Sequence, residues 1–328
     1  MQARNQHLDE LAVRTLKKHP DLPEGTLNDL STVISFCSGP ISHATRFKTI
    51  SYGGHDIVIK EGALGDGVGA KLWLVARVMC REMSNNPDMV SAKDVLEIGA
   101  GVGACGLLAS KLGARSVVIT DYVDSLLINL RDVLPLNCGT GEDSNENEDI
   151  QGDTSIFSAA LLKEDDQSSK TKIPKWSSGN VAVRFLDWED SLVAEMSSTE
   201  HLQTDRGKGG PLDGPSSRKV APPLVDSEQF DIIIGTDVLY EWPMTRSLPA
   251  VLQHRLRKGG KAFICNAVRD QLMFDDLIKN IRDKEDLEAE VTSIDTQAEQ
   301  LKDLFCKGQD YEGGFVWVTV EKIRESRT

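Results

Sequence analysis

The chain contains no apolar run of membrane-spanning length, and its first twenty residues, MQARNQHLDELAVRTLKKHP, mix acids and bases without the apolar core of a secretory leader. A soluble protein with no membrane partner is expected, placed in the cytoplasm with the nucleus as the alternative compartment. The six cysteines, Cys37, Cys80, Cys105, Cys138, Cys265 and Cys306, include no C-x-x-C pair, and the six histidines do not gather beside them. A disulfide framework and a structural metal are therefore not the starting expectation. Positive charge is short as well: 37 Lys and Arg face 51 Asp and Glu, for a net charge of −14. That balance repels a phosphate backbone, and no local basic patch offsets it, so nucleic acid is not an expected partner.

What is present is enough apolar material, 40% of 328 residues, for a sizeable core. Residues 1–45 carry apolar positions at three- and four-residue spacing and read as a helical extension; residues 46–324 read as the main domain. Two stretches interrupt it, at about 138–178 and 198–226, both rich in Gly, Ser, Pro, Asp and Lys and read as disordered surface loops. The first holds nine acids against four lysines, a solvated acidic loop with a weaker second reading as a guide for a basic protein partner.

Between these features the pattern is regular. Thr45–Glu61 alternates apolar and polar residues around Gly53-Gly54, a hairpin signal, and Ala70–Met83 reads as a helix carrying Trp73. From residue 93 strands and helices alternate, as in a parallel sheet covered on both faces. Strands are predicted near 94–98, 116–120, 181–186, 230–235, 260–266, 287–293 and 315–322. Helices are predicted near 103–112, 123–134, 187–196, 244–257 and 270–284, with a further helical stretch at 295–306. The short link before the last strand, KGQDYEGG, suits a hairpin-like antiparallel edge better than another crossover. The fold class expected is α/β: a Rossmann-like, doubly wound seven-stranded sheet with an antiparallel last strand, an N-terminal helical region and a β-hairpin.

Val95–Ala104, VLEIGAGVGA, is the most informative segment. A buried-strand pattern stops at Glu97, and Gly99, Gly101 and Gly103 then lead into a helix that ends at Gly113. Glycine suits a strand-to-helix turn because the backbone must bend tightly and admit a ligand, and the helix amides favour a negatively charged ligand group. Gly101, Gly103 and Gly106 also satisfy G-x-G-x-x-G, with Asp121 about 20 residues on, so a dinucleotide enzyme is a fair reading of this motif alone.

Three further strand ends argue for another ligand: Thr120-Asp121-Tyr122, Leu186-Asp187-Trp188 and Thr236-Asp237-Val238-Leu239-Tyr240. In that order the chain resembles the seven-strand methyltransferases that use S-adenosylmethionine. The D-x-x-Y at Asp237–Tyr240, the strand FDIIIGTD before it and the Gly-x-x-x-Trp ending at Trp73 resemble the lysine methyltransferase family 16 in particular. That resemblance implies a protein-lysine N-methyltransferase acting on non-histone proteins. By position it makes Gly99, Gly101 and Gly103 the floor under the methionyl part of the cofactor, with Glu97 at its mouth. Asp121 would meet the ribose hydroxyls and Asp187 and Trp188 the adenine, with the adjoining Tyr122 also binding the cofactor and Trp73 lining the same pocket. An acid commonly follows this tryptophan in the family; here Leu74 stands there.

Asp237 would orient or transiently pair with the acceptor amine, and Tyr240 would offer it a ring face or hydroxyl. Most of the acceleration would come from positioning a neutral nucleophile in line with the sulfonium. Plainer roles stand beside these: Asp121 as a helix cap, Trp188 as a core aromatic, Trp73 as a buried helix anchor, and Asp237–Tyr240 as a capped loop. The alternative functions are a methyltransferase of the same fold with another protein side chain or a small molecule as acceptor, and a catalytically silent scaffold. No metal is expected, and a monomer is the default.

Overall fold

A computed structural model describes residues 46–62, 68–138, 175–192, 220–296, 298, 301, 304 and 314–323. The predicted N-terminal helical extension and most of both predicted insertions and of the helical stretch at 295–306 lie outside these residues; of the second insertion, 220–226 are described, with Ala221 and Leu224 buried rather than in a disordered loop. Ten strands and five helices are described. In chain order they are β1 (Arg46–Tyr52), β2 (His55–Glu61), α1 (Leu74–Asn85), β3 (Asp94–Ile98), α2 (Ala104–Lys111), β4 (Ser116–Asp121), α3 (Asp124–Asn137), β5 (Ser177–Ser178) and β6 (Val181–Phe185). There follow β7 (Phe230–Thr236), α4 (Met244–Arg255), β8 (Leu256–Ala267), α5 (Gln271–Arg282), β9 (Leu287–Ser293) and β10 (Phe315–Lys322).

Strands β3 to β10 form one sheet in the order β5-β6-β4-β3-β7-β8-β10-β9. β3 pairs in parallel with β4 on one side and β7 on the other, so the direction of strand addition reverses at β3. Open α/β sheets bind ligands at the carboxyl ends of the strands at such a switch point. The central strands are apolar at nearly every position because both faces are covered. Their side chains alternate between two cores: Val95, Val117, Ile119, Ile232 and Ile234 join the one beneath α1, α2 and α3. Leu96, Ile98, Val118 and Ile233 join the one beneath α4 and α5. The β1–β2 hairpin forms its own two-stranded sheet with Tyr52 opposite His55. Ile57 and Ile59 bury it in the first core, and the Asn137 side-chain amide imitates a neighbouring strand by bonding the Val58 N–H and C=O, each at 2.8 Å.

Several predicted boundaries and one topological expectation need correction. The helix predicted from Ala70 begins at Leu74, because 68–70 forms a separate 3-10 turn. β8 starts at Leu256, directly after α4, rather than near 260. The sheet has eight strands rather than seven, since Ser177–Ser178 adds a two-residue antiparallel edge to β6. β10 is antiparallel, as expected, but it is no edge: it pairs with β8 and β9 at once. Its composition accounts for this. Phe315, Val316, Val318 and Val320 are buried on both faces, whereas β9 exposes Glu288 and Glu290, charges suited to a strand that must not recruit another chain. Of the helix predicted at 187–196, residues 188–192 are helical and the rest lies outside the described residues. Among the described residues no helix is long and apolar enough to cross a membrane.

Candidate functional site

The carboxyl ends of β3, β4, β6 and β7 converge, and the turn after β3 sets their arrangement. Gly99, Gly101 and Gly103 have φ of +56°, +54° and +72°. Side chains rarely adopt that region, so alternate glycines let the chain fold back and start α2 at once. A Cβ on Gly101 would lie 2.6 Å from the Gly69 carbonyl oxygen, so the 68–70 turn rests directly on the loop. A Cβ on Gly99 would lie 3.2 Å from both Trp188 and Val238, so the ends of β6 and β7 close over its first residue.

Two buried acids hold this turn from below. The Asp121 carboxylate accepts the Gly101 amide at 3.0 Å on one oxygen and the Tyr122 and Val123 amides at 2.8 and 3.0 Å on the other. It thus ties β4 to the glycine turn and sets the entry to α3, whose N-cap is Val123 rather than Asp121 itself. Burial raises the Asp121 carboxyl above its ordinary value, and the three amides counter this. Glu97 sits differently from its expected place at the pocket mouth. It is 2% exposed and folds under α2, where it accepts the Gly106 amide at 2.8 Å. A buried acid at a helix start satisfies an otherwise orphaned amide, which explains the inward turn. Burial pushes its carboxyl up to about 8, opposed by the Gly106 and Cys105 hydrogen bonds and reinforced by the Asp121 charge.

At the end of β6, Asp187 accepts the Glu189 amide at 3.0 Å and so caps the 188–192 helical turn, while Trp188 leans on the second core. Trp73 is not inside α1: it is the extended N-cap residue and is 37% exposed, which replaces its reading as a buried anchor. Tyr122 and Tyr240 are exposed aromatics joined by a hydrogen bond between their hydroxyls, which bridges the loops after β4 and β7. Partial burial raises both phenols above their ordinary value, and Tyr122 adds to the effect on Tyr240.

Asp237 has φ of +57°, one of two left-handed non-glycine residues among those described. Its amide donates to the Cys265 carbonyl at 2.8 Å, and the next amide, Val238, donates to Asn266 Oδ1 at 2.9 Å. Arg269 donates from Nη1 to Oδ1 at 2.6 Å and from Nη2 to Oδ2 at 2.5 Å, so its fork holds the whole carboxylate. The structure therefore brings Gly99, Gly101, Gly103, Asp121, Trp188 and Asp237 into one constellation, with Tyr122 and Tyr240 on its rim. Gly69 is the first residue of the Gly-x-x-x-Trp read from the sequence, whereas sequence reasoning missed Asn266 and Arg269. A signal existed for these two, since C-N-A-V-R-D runs off the carboxyl end of β8, where the ligand side of the sheet lies.

The comparisons fall on the same region. Residues 53–142 match the family model described as lysine methyltransferase. Over 84 residues the chain is 37% identical to protein N-lysine methyltransferase METTL21A of Xenopus tropicalis, covering 25% of this chain and 39% of that protein. Over 196 residues it is 26% identical to protein N-terminal and lysine N-methyltransferase EFM7 of Kluyveromyces lactis, covering 60% of this chain and 56% of that one. The chain thus spans about half or less of the length of these relatives. Among solved structures, M. jannaschii TYW2 in complex with AdoMet aligns over 85% of this chain and 86% of its own, at 12% identity and a TM-score of 0.44. The segment holding the glycine turn, Glu97 and Asp121, residues 53–142, is by sequence similar to the lysine methyltransferase family.

Proposed function

We propose that the chain is an S-adenosylmethionine-dependent methyltransferase that transfers a methyl group to lysine on a non-histone protein, acting in the cytoplasm. The observation that carries the cofactor choice is Glu97. A dinucleotide of the G-x-G-x-x-G type sets its diphosphate on the first amides of the helix after the turn. Here the Gly106 amide is already taken by a buried carboxyl, with the buried Asp121 carboxylate close by. A diphosphate would find that amide taken and the Asp121 carboxylate beside it. S-adenosylmethionine has no phosphate to seat there, and its sulfonium carries a positive charge that the Asp121 carboxylate favours.

The chain's own groups match that molecule's needs. Asp121, fixed by two amides on Oδ1 and one on Oδ2, keeps a lone pair on Oδ2 for a ribose hydroxyl, and the exposed Tyr122 stands beside it. Trp188 lies against Gly99 as a wall for the adenine, with Asp187 at its edge. When bound, the cofactor supplies a methyl group already activated by its sulfonium. The remaining task is to align a neutral amine with it and keep water out, which is worth many orders of magnitude without a dedicated base. Asp237 and Tyr240, at the end of β7 and next to Trp188 through Val238, line the acceptor's approach. The similarity of residues 53–142 to lysine methyltransferases favours lysine as the acceptor.

Calorimetric titration of the purified protein with S-adenosylhomocysteine and with NAD tests the cofactor; binding of NAD alone would overturn the reading. Incubation with labelled cofactor and cell lysate, followed by mass spectrometry of the labelled proteins, tests the acceptor. Label on lysine supports the proposal, label on another side chain or on small molecules reassigns the acceptor, and cofactor binding without any transfer identifies a silent scaffold.

A further inference from the structure

We propose that Arg269 is a positioning residue that occupies the Asp237 carboxylate, so that the acceptor lysine enters this site as a free amine rather than as an ammonium ion paired with Asp237. The inference rests on the methyltransferase reading above. It starts from the fork at 2.6 and 2.5 Å, which engages both carboxylate oxygens. The Asp237 side chain is only 9% exposed and Arg269 30%, so a shielded carboxylate is held by an arginine that faces solvent. Bidentate arginine–carboxylate pairs are the strongest and most directional of the charged pairs.

The local backbone is shaped to present this pair. Asp237 accepts a left-handed φ, a strain that the surrounding structure must over-determine. Three contacts from β8 and the residues after it do so: the Cys265 carbonyl on the Asp237 amide, the Asn266 side chain on the Val238 amide, and Arg269 on the carboxylate. Asn266 is itself 1% exposed, and its Nδ2 has no hydrogen-bond partner among the described residues. The strained acid is thus held from one strand end rather than left to move.

The electrostatic consequence follows from what surrounds Asp237. Cys265 faces it from β8, Tyr240 and Glu241 follow it in its own loop, and Tyr122, Asp121 and Asp187 act on those tyrosines from β4 and β6. A lone carboxylate among these groups would trap lysine as an ammonium, whose nitrogen has no lone pair to give. Pairing with Arg269 makes the two side chains a net-neutral unit, which removes that trap and leaves the neutral amine unopposed. The acceptor proton leaves to water. The nitrogen lone pair then forms the N–C bond as the C–S bonding pair returns to sulfur, leaving a neutral thioether and a methylated ammonium.

The test compares wild type, Arg269→Gln and Arg269→Lys on the lysine-bearing protein most strongly labelled in lysate, purified, with kcat and KM measured from pH 6.5 to 10. In R269Q the acceptor should bind as well or better, kcat at pH 7 should fall about tenfold, and the kcat profile should move up by about one pH unit, one unit being tenfold. Activity should recover at alkaline pH. R269K, which keeps the charge without the fork, should hold the wild-type pH midpoint with a reduced plateau. An R269Q profile that is unshifted, or lowered equally at every pH, would overturn the inference while leaving the methyltransferase reading intact. Wild type that binds no cofactor or labels no lysine overturns both. Titration with S-adenosylhomocysteine on each variant separates a folding defect from the effect on the acceptor.

Discussion

The two ends of β3 carry buried acids three residues apart that are treated in opposite ways. Asp94, at the amino end, lies in a cage: Arg115 donates from Nε and Nη2 at 2.8 and 2.6 Å, Arg257 at 2.6 Å and Ser116 at 2.7 Å, with Asp231 closing the network. Burial alone would raise its carboxyl, but these donors hold it well below the usual carboxylate range. Glu97, at the carboxyl end, has amides for partners and is pushed up to about 8. One end of the sheet is closed and charge-balanced. The other carries acids raised by burial, left-handed residues and exposed aromatics, features that cluster at functional sites.

The contrast can be broken at either end, and the largest effect is expected at the closed one. Asp94→Ala removes the 4%-exposed carboxylate that Arg115, Arg257 and Ser116 share, leaving the arginines only Asp231, and should cost about 3 kcal/mol in denaturant unfolding, with cofactor affinity per folded molecule unchanged. A matching loss of cofactor affinity would show that the two ends are not independent. Gly101→Ala should act the other way round. Its Cβ would meet the Gly69 carbonyl at 2.6 Å in a left-handed backbone, so stability should fall by about 2 kcal/mol and S-adenosylhomocysteine affinity by at least tenfold, measured by calorimetry.

The pH dependence of the two acids sharpens the contrast further. The depressed Asp94 carboxyl stabilises the fold above the ordinary carboxylate range, and this is lost as pH falls below about 4. The raised Glu97 carboxyl does the reverse: its contribution is fully present below 4.5 and declines as pH rises towards about 8. Glu97→Gln should therefore match wild type in melting temperature near pH 4 and exceed it near pH 8.5 in the ligand-free protein. Equal melting curves at both pH values would refute the uncompensated state of Glu97. The smallest effect is expected on the rim, where Tyr240→Phe removes the bond to Tyr122: about 0.5 kcal/mol in stability and a few-fold loss in methyl transfer.

Much of this architecture was legible in the chain. The strand ends that bear Asp121, Asp187 and Asp237 and the glycine turn lie where local pattern placed them, because period, turn chemistry and apolar runs are properties of neighbouring residues. Asp121 serves the turn in a way the cap reading only approached, since its Gly101 contact joins residues 20 apart. The expectation for Glu97 failed for a related reason: nothing in VLEIGAGVGA tells whether its side chain points at a ligand or back beneath the helix. β10 was misplaced at an edge because a short link describes a hairpin, whereas pairing on both sides is decided by two other strands.

The sequence by itself determined that this is an α/β chain with a glycine turn after the first strand of its alternating region and acids at three strand ends, since these follow from local spacing and composition. The tertiary structure alone decided which acids face a ligand and which are consumed internally. The engagement of Glu97 by Gly106, of Asp237 by Arg269 and of Asp94 by Arg115 and Arg257 depends on groups brought together from as far as 163 positions apart. A charge is defined by its neighbours in space, and only folding chooses them.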